Sequence, residues 1–257
     1  MIPVLSLGSM KRLLVVGSLL FLLGIGYIGY TVATLPDVTV LKKNNPTVTA
    51  LMVQRAEEHH TKPLPVRNWV SYNNISPNLR NAVLIAEDSA FFQHSGYDVD
   101  EIRESLKRNW REKRFARGAS TITQQLAKNL YLSTSRNPLR KVREFFIAQE
   151  LERDLSKQRI FEIYLNVIEW GDAIYGIEPA ARKYFGKSAA ELLPEEAAIL
   201  AAMIPNPRRY TPAQNIKYLE KRKSEILDRL VRWKYLAPAD YQAAIVRPIV
   251  FQPSPVQ

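Results

Sequence analysis

Three segments of the chain place carboxylates, amides and cations where they could do chemistry. Glu87 and Asp88 close an apolar run in which Leu79, Ala82, Val83 and Ala86 follow the i, i+3, i+4, i+7 spacing of a buried helix face. A carboxylate at such an edge is partly desolvated, which raises its pKa toward the range of a general base; the same position equally suits a helix end facing water. In the stretch Gly118 to Asn129, helical spacing puts Gln125, Lys128 and Asn129 on one face, with Ser120 and Thr121 at the helix start. Free N–H groups at a helix N-terminus and a lysine two turns along suit an anion such as phosphate, and Arg117 and Arg136 lie just outside the two ends. An ordinary capped helix with a solvated polar face has the same spacing. Glu144 shares the i, i+4, i+7, i+11 positions with Ala148, Leu151 and Leu155, so a carboxylate lies on the stripe that should face the core. Either Arg140, one turn earlier, pairs with it, or the stripe opens into a cleft. Two separated carboxylates and an anion-binding helix suggest transfer chemistry on a phosphorylated substrate.

The elements that would position these groups are helical. Ser76 and Pro77 read as an N-cap and first-turn pair for the helix ending at Glu87, and Asp98 with Glu101 resembles a capping box opening the next one. Further helices are predicted from Ser120 to about Tyr131, Pro138 to about Leu155, Ser156 to about Glu169, Glu178 to Tyr184, Pro194 to Met203 and Ile216 to Trp233. Glycines and the Pro205 to Pro212 loop separate the later ones. The fold class is mainly α, in one domain over residues 66–257. Residues 36–65, interrupted by proline and by the Lys42 to Pro46 stretch, read as a linker with short extended pieces. The adjacent His59 and His60 do not fit the i, i+4 spacing of metal ligands on one helix face, and a lone His94 is read as structural.

The 23 residues from Leu13 to Leu35 carry no charge and as a helix would cross a hydrocarbon core about 30 Å thick. Lys11 and Arg12 directly precede them, so residues 1–12 are expected in the cytoplasm and the working domain on the outer face of the membrane. The run exceeds the length of an ordinary signal-peptide core, which favours a retained anchor. With 36 Lys and Arg against 25 Asp and Glu, the formal charge of +11 favours anionic partners. Nucleic acid is set aside because no fold signature for it is present. The absence of cysteine excludes disulfides, thiolate metal sites and cysteine nucleophiles.

The segment Glu87-Asp-Ser-Ala-Phe-Phe-Gln-His-Ser-Gly-Tyr-Asp98 resembles the first motif of the family 51 glycosyltransferases, the peptidoglycan glycosyltransferases. Gly118 to Asn129 is similar to the second motif, Arg140 to Glu152 to the third, and Ser156 to Asn166 followed by Gly171 to the fourth. Order and spacing agree, and four long motifs are far more specific than a short signature. Phe161 stands where the family usually has leucine, and the fifth motif is only loosely present around Arg222 to Leu227, with Leu230 where methionine is common. No S-x-x-K or K-T-G element of a transpeptidase domain follows, so the chain resembles the monofunctional members.

The resemblance implies a lysozyme-like, mainly α fold and a lipid-diphosphate disaccharide-pentapeptide substrate, lipid II, polymerised with inversion into a β-1,4 glycan. By position it makes Glu87 the general base and Glu144 its catalytic partner at the leaving diphosphate. It assigns Arg117, Ser120, Gln125, Lys128, Asn129 and Arg136 to substrate binding. It requires no cofactor but admits a divalent cation, Mg2+ or Mn2+, near the diphosphate. The expected location is the bacterial inner membrane, single-pass, with a periplasmic domain, and cell-division and other wall-synthesis proteins are candidate partners. Phe91, Phe92, Tyr97, Trp110 and Phe115 around the first motif are expected to divide between core and membrane contact.

Overall fold

The segment Pro194–Met203 is almost free of polar groups beyond its two glutamates, so a helix there can be enclosed on every side, and each residue from Glu195 to Met203 is buried. The rest of the domain is arranged around it. The computed structural model describes residues 7–112, 120–135 and 137–252. In chain order the elements are α1 (Leu7–Ala33), α2 (Ala50–Glu58), α3 (Pro77–Glu87), α4 (Val99–Glu112), α5 (Ile122–Tyr131), α6 (Pro138–Asp154) and α7 (Lys157–Val167). An antiparallel hairpin of β1 (Glu169–Gly171) and β2 (Ile174–Tyr175) follows, then α8 (Ile177–Phe185), α9 (Pro194–Met203), α10 (Pro212–Arg232) and α11 (Pro238–Val246). The fold is mainly α, as expected.

Helix α9 is packed by α3, α10, α11 and β1. Its neighbour α10 contributes Leu219, Ile226, Leu227 and Leu230, a single face at helical spacing. Regular geometry in α10 begins after a non-helical Asn215, close to the predicted start at Ile216. Beside this group, α5 lies against α2, α6 and α7, burying Ile122, Leu126, Ala127 and Leu130. A fully buried Ile or Leu such as Ile122 or Leu126 contributes about 1.5–3 kcal/mol. Leu126→Ala would therefore remove about 2–5 kcal/mol and loosen the helix that carries Gln125 and Lys128.

Caps set the helix starts. Thr121 accepts from the Gln124 N–H, Asn137 from the Leu139 N–H and Ser156 from the Arg159 N–H. Asp98 accepts from the Glu101 N–H at 2.8 Å, the expected cap of α4. Ser76 differs from expectation: its hydroxyl donates to the Leu192 carbonyl at 3.0 Å and ties α3 to the approach of α9 instead of capping α3.

Residues 36–65, read as a linker with short extended pieces, contain a helix and core residues. Thr49 caps α2, and Val38, Leu41, Leu51, Met52 and Ala56 are buried. The helix predicted to reach Glu169 stops at Val167, and Glu169 opens the hairpin. Helix α1 stops at Ala33, short of Leu35, and its Leu13–Ala33 part is long and apolar enough to cross a bilayer, with a mean hydropathy of 2.1. Its end docks on α6: Arg143 donates to the Thr34 carbonyl at 2.6 Å and the Tyr27 hydroxyl to the Leu139 carbonyl at 2.8 Å. Of the aromatics around the first motif, Phe91 lies in the core and Phe92 is exposed. The side chains of Trp110 and Phe115 are outside the described residues.

Candidate active site

The apolar face of α3 delivers its last residue to the edge of the core. Leu79, Ala82 and Val83 are buried while Glu87, at the C-terminus, is half-buried. Burial pushes the Glu87 carboxyl above the ordinary carboxylate range. A hydrogen bond from Gln125 and the charges of Arg222 and Lys128 oppose that rise, and Asp88 adds to it. The Gln125 amide donates to Glu87 Oε2 at 2.8 Å, and its carbonyl accepts from the Tyr164 hydroxyl at 2.9 Å.

Asp88 does a different job. It accepts from the Ile122 N–H at 3.0 Å, meeting the positive end of α5, and from His94 Nε2 at 2.9 Å. The Thr121 hydroxyl donates to the Gly96 carbonyl at 2.7 Å. Gly96 has φ +87°, and a Cβ there would stand 2.9 Å from Gln149 Nε2. The loop between α3 and α4 is thus fastened to the start of α5. The expected anion site at the α5 N-terminus is in consequence partly filled by the protein itself, because Asp88 and Thr121 take the N–H groups of Ile122 and Gln124.

The face read from spacing does assemble: Gln125, Lys128 and Asn129 line one pocket together with Tyr164. Burial, together with the charges of Arg140 and Lys141, lowers the Lys128 pKa, while Glu144 opposes the change. Lys128 forms no ion pair among the described residues. Glu144 is buried, as the stripe predicted, and it pairs with Arg140 at 2.6 Å and with Lys141. Ser120 accepts from the Lys141 ammonium at 3.1 Å. The pairing with Arg140 is therefore present, and the pair lies close enough to Lys128 for both charges to act on it. Arg117 and Arg136 lie outside the described residues.

Sequence reasoning passed over Tyr164, Lys141 and Arg222 as site residues. Tyr164 sits among Ile160, Phe161 and Ile163 and reads as core, which it is apart from its hydroxyl. Lys141 lies beside the glutamate whose pairing was already in question. The loosely matched fifth motif was the available signal for Arg222.

Asp88, His94 and Asp98 bring one ligand atom each within 4.8 Å of one another. Their oxygens already accept from His94, Ile122 and Glu101, and Mg2+ demands near-octahedral oxygen ligation. The Glu144 carboxylate beside Lys128 is likewise held by two cations. A divalent cation at either place would share these carboxylates with the hydrogen bonds and ion pairs they already make.

A desolvated carboxylate held by an amide, near a lysine that makes no ion pair among the described residues, is an arrangement suited to group transfer with an anionic leaving group. The chain matches the family model described as Transglycosylase over residues 55–231 and belongs to that family. A biosynthetic peptidoglycan transglycosylase from Nitrosospira multiformis is 47% identical over 189 residues, covering 72% of this chain and 82% of its own. One from Laribacter hongkongensis is 48% identical over 192 residues, covering 73% and 83%. A crystal structure of penicillin-binding protein 1A from Haemophilus influenzae is 34% identical and covers 52% of this chain and 16% of that one, with a TM-score of 0.36.

Proposed function

We propose that this transglycosylase polymerises peptidoglycan glycan strands from lipid II, with Glu87 as the general base. The relatives' shared description supports the reaction, and the Gln125–Glu87 hydrogen bond, with the largely buried Lys128 beside it, is the observation that carries the assignment. Glu87 Oε2 accepts the proton of the acceptor sugar's 4-hydroxyl as that oxygen bonds to the anomeric carbon of the lipid-linked chain. The bond from that carbon to the diphosphate oxygen breaks, and the diphosphate leaves with the electron pair. Lys128, Arg140 and Lys141 meet its charge, and Glu87 then returns its proton to water. Gln125 fixes the carboxylate and is itself held by Tyr164, while Glu144 positions the two cations it pairs with. Attack opposite the leaving group inverts the anomeric centre.

Helix α1 serves as a single-pass anchor. Lys11 and Arg12 before the apolar run favour an outward-facing domain, where a lipid-linked donor stays in the bilayer during transfer. Incubating the purified full chain with lipid II and, separately, with finished glycan tests the reading. Polymer from lipid II supports it, and cleavage of finished glycan with no polymer overturns it.

A further inference from the structure

Away from Glu87 and Lys128, two further pockets meet around the β1–β2 hairpin. One, of about 320 Å³, is walled by Met52, Ala56, His59, Lys62, Leu64 and Tyr175. The other, of about 300 Å³, is walled by Arg67, Ile174, Pro179 and Lys183 together with the same Leu64 and Tyr175. The shared walls make them one groove with a largely apolar floor.

Three features define what the groove can hold. Tyr175 is only 7% exposed, and its hydroxyl makes no hydrogen bond among the described residues, yet it is not one of the unpartnered polar atoms sealed from solvent. It opens on the groove it lines, where a ligand gains by pairing with it. Burial pushes its pKa up to about 12, so the phenol is a neutral donor. Lys62, Arg67 and Lys183 stand exposed at the rim, and none makes an ion pair among the described residues. Lys62 and Leu64 each precede a proline, which disfavours helical backbone at both, and neither N–H donates to a protein acceptor among the described residues. A peptide lying along this strap gains backbone hydrogen bonds as well as side-chain contacts.

An extended peptide with small apolar side chains and a free carboxylate fits all three. Arg55 lines both this groove and the pocket of Gln125 and Lys128, so a single side chain bridges the two. Five extended residues span at most about 17 Å, enough to pass Arg55 from a sugar held in the cleft.

We propose that the groove binds the peptide branch of the glycan precursor, with its terminal carboxylate at the rim of Lys62, Arg67 and Lys183 and a backbone carbonyl on the Tyr175 hydroxyl. This rests on the polymerising reading above. The groove makes no contact with the reacting atoms, so it governs binding and leaves the proton transfer to Glu87.

Steady-state kinetics on the full chain, with lipid II and with lipid II whose peptide is trimmed to its first residue, test this. The trimmed substrate keeps the diphosphate but cannot reach the groove. The main variant, Lys62→Glu with Lys183→Glu, reverses two exposed rim charges and leaves the core intact. On the full peptide its KM is expected to rise about 3- to 10-fold, with kcat within about threefold of the parent. On the trimmed substrate variant and parent agree within about twofold. Tyr175→Phe, which removes only the hydroxyl, gives a rise of about 2- to 5-fold on the full peptide alone. Thermal unfolding is recorded alongside to show that both variants fold. An equal rise on both substrates is a general loss of attraction for anions and overturns the inference. So does a KM of the charge-reversed variant on the full peptide within about twofold of the parent, which leaves the groove to an acidic segment of another protein. A parent that polymerises neither substrate defeats the functional reading itself, so the two failures are separable.

Discussion

The amide of Gln125 donates to Glu87 Oε2 over 2.8 Å, and this bond joins the end of α3 to the middle of α5. It favours the charged form of a carboxylate that burial pushes toward the neutral one. Gln125→Leu therefore raises the Glu87 pKa further and frees the side chain to rotate. The acid limb of the pH–rate profile is expected to move to higher pH, with kcat at pH 7 falling about tenfold. A pH profile of the variant with an unmoved limb would remove Gln125 from this role.

Glu87 also leaves a signature in stability. Its folded pKa lies above its unfolded one, so its contribution favours the folded state at pH below the unfolded value. That contribution is lost as pH rises through the folded value. Glu87→Gln carries no such titration and should be more stable than the parent at pH 8. A difference of about 1 kcal/mol corresponds to roughly 2–4 °C in Tm for a domain of this size. The gap should close as pH drops below both values, which thermal melts at pH 4 and pH 8 would measure.

The wild-type pH profile has two limbs set by opposite shifts. Glu87 must be ionised and its pKa is raised, whereas Lys128 must be protonated and its pKa is lowered. The bell in kcat/KM is thus narrower than ordinary Glu and Lys values would give. Bound diphosphate places negative charge beside Lys128 and raises its pKa, so the alkaline limb of kcat lies above that of kcat/KM. Coincident alkaline limbs would argue that Lys128 does not meet the leaving group.

Glu144→Gln leaves Arg140 and Lys141 without their carboxylate next to Lys128. Stability is expected to fall by about 1–3 kcal/mol, since a mostly buried guanidinium loses its charged partner. Lys128 loses the larger of the two carboxylate charges that raise its pKa, Glu87 being the other, so the alkaline limb of kcat/KM moves down. Urea unfolding and the pH profile together separate this from a purely structural loss, which would leave the limb in place.

How much of this was readable in advance follows the range of the interactions. The i, i+3, i+4 geometry of one helix is local, so the shared face of Gln125, Lys128 and Asn129 and the buried place of Glu144 were both legible. Tyr164 reaches Gln125, and the charge of Arg222 acts on Glu87, only because α7 packs on α5 and α10 packs on α3. No local spacing encodes that. Helix α2 was hidden by its neighbours: nine residues between proline-broken flanks give too short a period, although Thr49 with Leu51, Met52 and Ala56 was the available signal. Strands of three and two residues show no alternation to find. The filled N-terminus of α5 depends on Asp88, 34 positions away from Ile122.

The most direct test of Glu87 as the base is single-turnover polymerisation of lipid II by the full chain and by Glu87→Gln, with lipid II binding measured on both. The account predicts comparable binding and a rate lower by about 10²–10⁴-fold in the variant. A Glu87→Gln protein that binds lipid II and polymerises it within tenfold of the parent rate would contradict it.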